Sequence, residues 1–237
     1  MEIQSLDALM QQHPATVPFG PRGMSLGGPV LTPEQSLQWV QEIVAAYDLN
    51  ERVPEEVLGY YDVSRRLHVY GYFDYRFFTI AHERATFAAE FAVRRRFLDW
   101  HDGRVPVERG EGGEIESGII QATDTWKFDA QFRRKRRRRL AAQWRLQGHP
   151  AFDGSFGAHL EWARTTIDLG RYFAKAANAQ TGDERPGRLD ALRDLRNMAA
   201  HPSVDMRVMP VDSARSIEFS WRFINALWGV PARESFY

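Results

Sequence analysis

Apolar residues recur at helical spacing along most of the chain. The strongest stretch runs from about Tyr72 to Trp100, where alanines and phenylalanines return every three or four residues with no Pro or Gly inside. Weaker stripes of the same period lie at about 33–47, 119–147, 156–179, 188–200 and 213–228. They outnumber any alternation typical of strands. The pattern therefore predicts an all-α fold, an up-and-down bundle of four to five helices with an irregular N-terminal arm.

Proline and glycine mark the borders of this predicted bundle. Residues 1–33 are expected to form the Pro/Gly-rich arm, and residues 34–237 a single helical domain. Thr32 can cap the first helix, with Pro33 at its first position and Gln35 completing a capping box. Residues 101–118 combine glycines with glutamates and are expected to be a mobile acidic loop. Asp212 is the predicted N-cap of the last helix.

Composition narrows the chemistry that the chain can perform. The 237 residues include 31 Lys plus Arg, 31 Asp plus Glu and no Cys, which excludes disulfides, thiolate nucleophiles and cysteine-bound metals. No histidine spacing matches a metal-binding motif, so we expect neither a metal nor a cofactor. No segment approaches the roughly 18 apolar residues of a membrane span, and no signal peptide is evident. The protein is therefore expected in the cytoplasm, without a membrane partner.

The segment Leu195–Pro202 carries the most informative chemistry. Asn197 and His201 are four residues apart, so a helix that persists to its last turn places both on one face, with Arg196 beside them. A guanidinium can hold a phosphate oxygen, an amide can orient a hydroxyl, and an imidazole can transfer a proton near neutral pH. These groups suffice for RNA cleavage without a metal, because the 2′-hydroxyl itself attacks the adjacent phosphorus.

The residues Arg196-Asn197-Met198-Ala199-Ala200-His201, followed by Pro202, resemble the R-N-x-x-x-H signature of the HEPN superfamily. Many members of that all-α superfamily are metal-independent endoribonucleases of antiphage defence and toxin–antitoxin systems. The resemblance implies that Arg196 binds the scissile phosphate, that His201 is the general acid or base, and that Asn197 orients His201 or the substrate. It also implies a cleft completed across a homodimer and a 2′,3′-cyclic phosphate product. An antitoxin or another defence-system protein is a candidate partner.

A run of seven cations is the second candidate functional feature. Because these residues cover every side of a helix, they would repel one another unless water or anions surround them. The run can bind an RNA backbone, which would make binding depend on salt. It can equally be a solvated segment balanced by the glutamates of 101–118, or a contact with an acidic partner. Its members are Arg133, Arg134, Lys135, Arg136, Arg137, Arg138 and Arg139.

Two carboxylates of the long helix are candidates for a supporting role. Glu83 and Glu90 share one stripe of that helix, and in bundles that resemble the HEPN superfamily such a helix often supports the catalytic residues. Both are therefore candidates for orienting Arg196 or His201. The spacing of Glu90 and Arg94 equally predicts an ordinary i,i+4 ion pair.

Two classes of function remain open from the sequence. The leading hypothesis is a metal-independent endoribonuclease that acts as a homodimer on single-stranded or loop RNA. The alternative is a non-catalytic helical module that binds RNA or nucleotide, or that serves as a sensor of a defence system. In a purely structural interpretation, Arg196 pairs with Asp190 or Asp194, and His201 caps the end of a helix.

Overall fold

The computed structural model describes residues 10–11, 19–20, 23–24, 32–111, 114–137, 144–149, 151–167, 169, 192, 194, 196–197 and 208–229. Six helices lie in this part of the chain: α1 Pro33–Ala45, α2 Glu55–Tyr70, α3 Arg76–Trp100, α4 Thr125–Arg137, α5 Phe156–Thr166 and α6 Pro210–Leu227. Five strands accompany them: β1 Phe19–Gly20, β2 Gly23–Met24, β3 Arg104–Glu111, β4 Glu114–Gln121 and β5 Arg145–Leu146. The described chain is therefore mostly helical, but it is not purely all-α.

The chain divides into two compact units. The first contains Met1–Ala89 and Asp194–Phe223, and the second contains Glu90–Arg193 and Ile224–Tyr237. Helices α1 and α2 belong to the first unit, whereas β3, β4, β5, α4 and α5 belong to the second. Helices α3 and α6 contribute residues to both units.

The start of α1 confirms the predicted capping box. The Thr32 side chain accepts a hydrogen bond from the backbone N–H of Gln35 at 3.3 Å, and the Gln35 side chain accepts one from the Thr32 N–H at 2.9 Å. Pro33 occupies the first turn, where its missing N–H leaves no carbonyl unsatisfied. The paired strands β1 and β2 show that the N-terminal arm is not wholly irregular.

Buried hydroxyl and indole groups tie the helices of the first unit together. The Tyr61 hydroxyl lies 3.0 Å from the carbonyl oxygen of Tyr47 and 3.3 Å from that of Ile217, so it can donate to either. The Trp221 indole N–H donates to the carbonyl of Asp48 at 2.7 Å. Since a buried polar group without a partner is costly, these bonds fix how α2 and α6 meet the end of α1.

The start of α6 differs from the prediction. The helix begins at Pro210, and the carbonyl of Met209 accepts from the N–H groups of Asp212 and Ser213 at 3.0 Å each. Asp212 therefore lies within the first turn and is not the N-cap. A proline fits this first position because its ring already holds a helical φ angle.

The predicted mobile loop at 101–118 is wrong, and so is the continuous helix at 119–147. Strands β3 and β4 pair antiparallel, from Arg104 opposite Gln121 to Glu111 opposite Glu114, and β5 joins the other edge of β3. The inward positions include Val105, Val107 and Ile120, which are buried. Burial of these alternate β-branched residues favours strands, and it outweighs the tendency of the local glycines and glutamates to form a loop.

An aromatic cluster forms the core of the second unit around Phe97. The Phe97 ring lies 5.2 Å from Phe128, 5.1 Å from Phe152 and 5.0 Å from Trp162, as measured between ring centroids. His159 joins the same cluster at 5.0 Å from Phe97. Residues of α3, α4 and α5 thus share one core, which sets the orientation of α4.

Candidate catalytic and nucleic-acid-binding residues

The first two residues of the predicted catalytic signature are helical. Arg196 is half-buried and Asn197 is exposed. Leu192, four residues before Arg196, is also helical and is fully buried. His201 lies outside the described residues, so its predicted position four residues after Asn197 stays a prediction.

Arginine is the residue type best suited to bind a phosphate from a partly buried position. An arginine can pack its aliphatic stem against protein while its guanidinium stays within reach of an anion. Such packing reduces the side-chain entropy lost when a ligand binds, and the planar guanidinium can donate two parallel hydrogen bonds to phosphate oxygens. Asn197, at the next helical position, is exposed to solvent.

Glu83 lies half-buried on α3 within the first unit. Burial raises the pKa of this carboxyl group above its ordinary value, while the adjacent Arg84 acts in the opposite direction. The Thr86 hydroxyl donates to the backbone carbonyl of Glu83 at 2.8 Å, so the Glu83 carboxylate is not used in that bond. A support role toward Arg196 or His201 stays a prediction.

Glu90 lies in an ion-pair network of the second unit. Its carboxylate accepts from Arg94 at 2.8 Å, which confirms the i,i+4 pair expected from the spacing. Arg94 also pairs with Asp129 of α4, and all three side chains are largely buried. A buried pair of this kind is costly to break from one side, because the remaining charge loses its partner. These contacts therefore link Glu90 to α4.

The basic run forms the C-terminal part of α4. Arg133–Arg137 are helical, whereas Arg138 and Arg139 lie outside the described residues. One of the glutamates weighed as a counter-charge, Glu116, pairs with Arg109, which lies directly opposite it on β3. Because Glu116 already has this cross-strand partner, it is a weaker candidate for balancing the charge of the basic run.

Two histidine–serine pairs of the first unit were not predicted. The Nδ1 atom of His68 lies 3.0 Å from the Ser213 hydroxyl, and that of His82 lies 2.7 Å from the Ser216 hydroxyl. The Ser216 hydroxyl also lies 3.0 Å from the carbonyl oxygen of Asp212, so its one proton can go to that carbonyl or to His82 Nδ1, depending on the tautomer of His82. The Nε2 atoms of both histidines are buried without a hydrogen-bond partner in the described chain.

These two histidines belong to the interior and not to an accessible site. Burial lowers the pKa of His68 to about 3 and also lowers that of His82. A neutral imidazole that water cannot reach is unsuited to proton transfer with a substrate. For His68, a sequence signal was present: it follows Val57 and Tyr61 at helical spacing, on the buried stripe of α2.

Comparison of the chain with protein-family models, with curated proteins and with solved structures found no significant match. The described residues contain no group of three or more His, Asp or Glu side chains arranged to hold a metal ion. None of the described helices is long and apolar enough to cross a membrane.

Proposed function

We propose that this protein is a metal-independent endoribonuclease of a defence or toxin–antitoxin system. The observation that carries the proposal is the signature itself: Arg196 and Asn197 occupy consecutive helical positions, one turn before His201 in the sequence. The residue type of Arg196 supports a phosphate-binding role, because a guanidinium can hold phosphate oxygens by two parallel hydrogen bonds. Pro202, directly after His201, disfavours helix at that point and so favours a helix end there.

The reaction needs only an aligned phosphate and transfer of protons. A general base removes the proton of the 2′-hydroxyl, the 2′-oxygen forms a bond to phosphorus, and the bond from phosphorus to the 5′-oxygen breaks. A general acid protonates that leaving oxygen. The products are a 2′,3′-cyclic phosphate and a free 5′-hydroxyl, with no water consumed and no electron transferred.

Each side chain of the signature has one task in this scheme. The Arg196 guanidinium would neutralise charge that grows on the phosphoryl oxygens in the transition state. The His201 imidazole would serve as general base or general acid, and the Asn197 amide would orient it or the RNA. Because one chain supplies one such imidazole, a second copy in a homodimer could supply the other proton-transfer group.

The first test is cleavage in the presence of EDTA. Purified protein should cut a single-stranded RNA with EDTA present, and Arg196→Ala and His201→Ala should each lose cleavage while keeping the parent circular dichroism. Arg66→Ala, at an exposed position of α2 where the side chain pairs with Asp62 of the same helix, is the matched control and should cut normally. Cleavage that EDTA abolishes and Mg²⁺ restores would contradict the proposal.

The alternative is a module that binds RNA or nucleotide without cutting it. The cation-rich α4 favours RNA binding in either case, because phosphate contacts need charge and not an imidazole. Salt-dependent RNA binding by a protein that cleaves no RNA would support this second function.

A further inference from the structure

Helix α4 is amphipathic, and its inward side is fixed by the core. Phe128 and Phe132 are fully buried, and their rings stack on each other with centroids 5.4 Å apart. Asp129, the only acidic residue of α4, pairs with Arg94. These contacts anchor the helix, and they hold its one carboxylate in an ion pair with Arg94.

The opposite side begins with an exposed tryptophan. Trp126 is 80% exposed, which is more than any other large hydrophobic side chain of the described residues. Asp124 holds the start of the helix, because its carboxylate accepts from the backbone N–H of Lys127 at 2.7 Å. The indole is therefore carried on a capped helix end and presents a flat aromatic surface to solvent.

Helical periodicity places the basic positions on the same side as Trp126. Residues 4, 7, 8 and 11 positions after a given residue lie on its face of an α-helix. From position 126 these are Ala130, Arg133, Arg134 and Arg137. We call this set, with Trp126 and Lys127, the outer side of α4. Arg133 and Arg137 follow Trp126 by about 10 and 17 Å along the helix axis at about 1.5 Å per residue.

An aromatic platform followed by a row of cations matches the chemistry of a single nucleic-acid strand. Unpaired bases stack on exposed aromatic rings, while arginine and lysine follow the phosphates. A base inside a duplex is already stacked and cannot cover the indole. An acidic protein segment would meet the charge, but its carboxylates offer no flat aromatic face to the tryptophan.

We propose that the outer side of α4 binds single-stranded RNA, with one unpaired base stacked on Trp126. This inference rests on the proposed function in that RNA is the ligand, but it concerns binding and not the bond that is cut. The observation behind this inference is that one helix starts with an exposed indole and ends with the basic run. Trp126 is a binding residue in this proposal and has no part in proton transfer.

The test is binding of a strand that cannot be cleaved. The probe is a 2′-O-methylated oligoribonucleotide of about 12 residues with 2-aminopurine as the reporting base. Trp126→Ala should raise the Kd by about five-fold or more, since stacking contributes about 1–3 kcal/mol per base. It should also restore the 2-aminopurine fluorescence that stacking quenches. Trp126→Phe should keep most of the affinity, because the ring is retained.

Trp100→Ala is the matched control, because Trp100 is also substantially exposed but lies on α3. It should bind the probe like the parent, and Trp126→Ala should not weaken the binding of a duplex of equal length. Unchanged Kd and fluorescence in Trp126→Ala would overturn the proposal. So would Trp126-dependent binding of a polyglutamate peptide without binding of the probe, because that pattern indicates a protein partner.

Binding and cleavage fail separately in this design. If the probe binds through Trp126 but the parent cuts no RNA in EDTA, the proposed nuclease is wrong and the binding surface stands. If the parent cuts RNA and Trp126→Ala has no effect on the Kd, the nuclease stands and the binding surface is wrong.

Discussion

Acid should destabilise this protein through two histidines that the fold keeps neutral. Burial lowers the pKa of His68 in the first unit to about 3. His159 in the second unit has a pKa of about 3, chiefly because of burial and also because Arg94 is near. In the unfolded chain both groups recover a pKa near 6.5. Between these values the unfolded state binds more protons than the native state, so the free energy of unfolding falls as the pH falls.

The size of the effect follows from the two pKa values of each histidine. Moving from pH 7 to pH 5 crosses the unfolded pKa but stays above the folded one. Each histidine then removes about 1.9 kcal/mol from the free energy of unfolding, at about 1.4 kcal/mol per pH unit below about pH 6. The two together remove about 4 kcal/mol, a large part of the ~5–15 kcal/mol that typically stabilises a native protein.

Urea unfolding at pH 7 and at pH 5, followed by tryptophan fluorescence, measures this loss. Glutamine keeps a polar amide that does not titrate, so His68→Gln and His159→Gln should each reduce the difference between the two pH values by about 1.9 kcal/mol. The free energy that the substitution itself costs is the same at both pH values, so it cancels in the difference. The titration of carboxylates is shared by parent and variant, so it cancels when the two are compared. His149→Gln, at a half-exposed position, is the control. Equal pH dependence in the parent and both core variants would refute the reasoning.

Three further predictions concern binding, assembly and stability. Changing Arg134, Arg137 and Arg138 to Gln should raise the Kd for RNA and flatten its dependence on salt, while single-turnover cleavage at saturating RNA stays nearly unchanged; an unchanged salt slope would contradict this. Light scattering should give twice the monomer mass of 27.3 kDa at micromolar concentration, whereas an active monomer would contradict the shared cleft. Phe97→Ala should cost about 3–5 kcal/mol of unfolding free energy in urea titrations, and the exposed Leu58→Ala should cost little; equal costs would refute the aromatic core.

Local signals predicted the start of the helix at Pro33 because its determinants, Thr32 to Gln35, lie within four residues. The cap, the first-turn proline and the capping glutamine act on one helix end and need no distant partner. The long apolar stripe of α3 was also readable, and its predicted end at Trp100 is confirmed. The observed start at Arg76 lies four residues after the predicted one, because a turn precedes the helix and the Asp74 carboxylate accepts from the Arg76 backbone N–H at 3.0 Å.

The β3–β4 hairpin could not be predicted from helical periodicity, although a different signal was present. Gly112 and Gly113 stand between the paired residues Glu111 and Glu114, and a two-residue glycine turn is typical of hairpins. The same strand pairing explains why Ile119 is exposed and Ile120 is buried, since alternate strand residues point to opposite faces.

Helix α2 was missed because its buried side is partly polar and its outer side is partly apolar. The buried stripe includes Ser64 and His68, whereas Tyr60 and Val63 are exposed. Ser64 bonds to the carbonyl of Tyr61 at 2.6 Å, and the Nδ1 atom of His68 pairs with the hydroxyl of the distant Ser213. A pattern that depends on partners 145 residues away is not visible in a local window.

The chemical step of the proposed reaction is tested most directly by removing one oxygen from the substrate. A single-stranded RNA is prepared with a 2′-deoxy sugar at the mapped cleavage position only, and it is compared with the unmodified strand in EDTA. We predict that the unmodified strand yields a 2′,3′-cyclic phosphate, seen by mass spectrometry, while the substituted strand binds with similar affinity and is not cut at that bond. Cleavage of the 2′-deoxy position at the normal rate would contradict the central claim, because it would show that the 2′-hydroxyl is not the nucleophile.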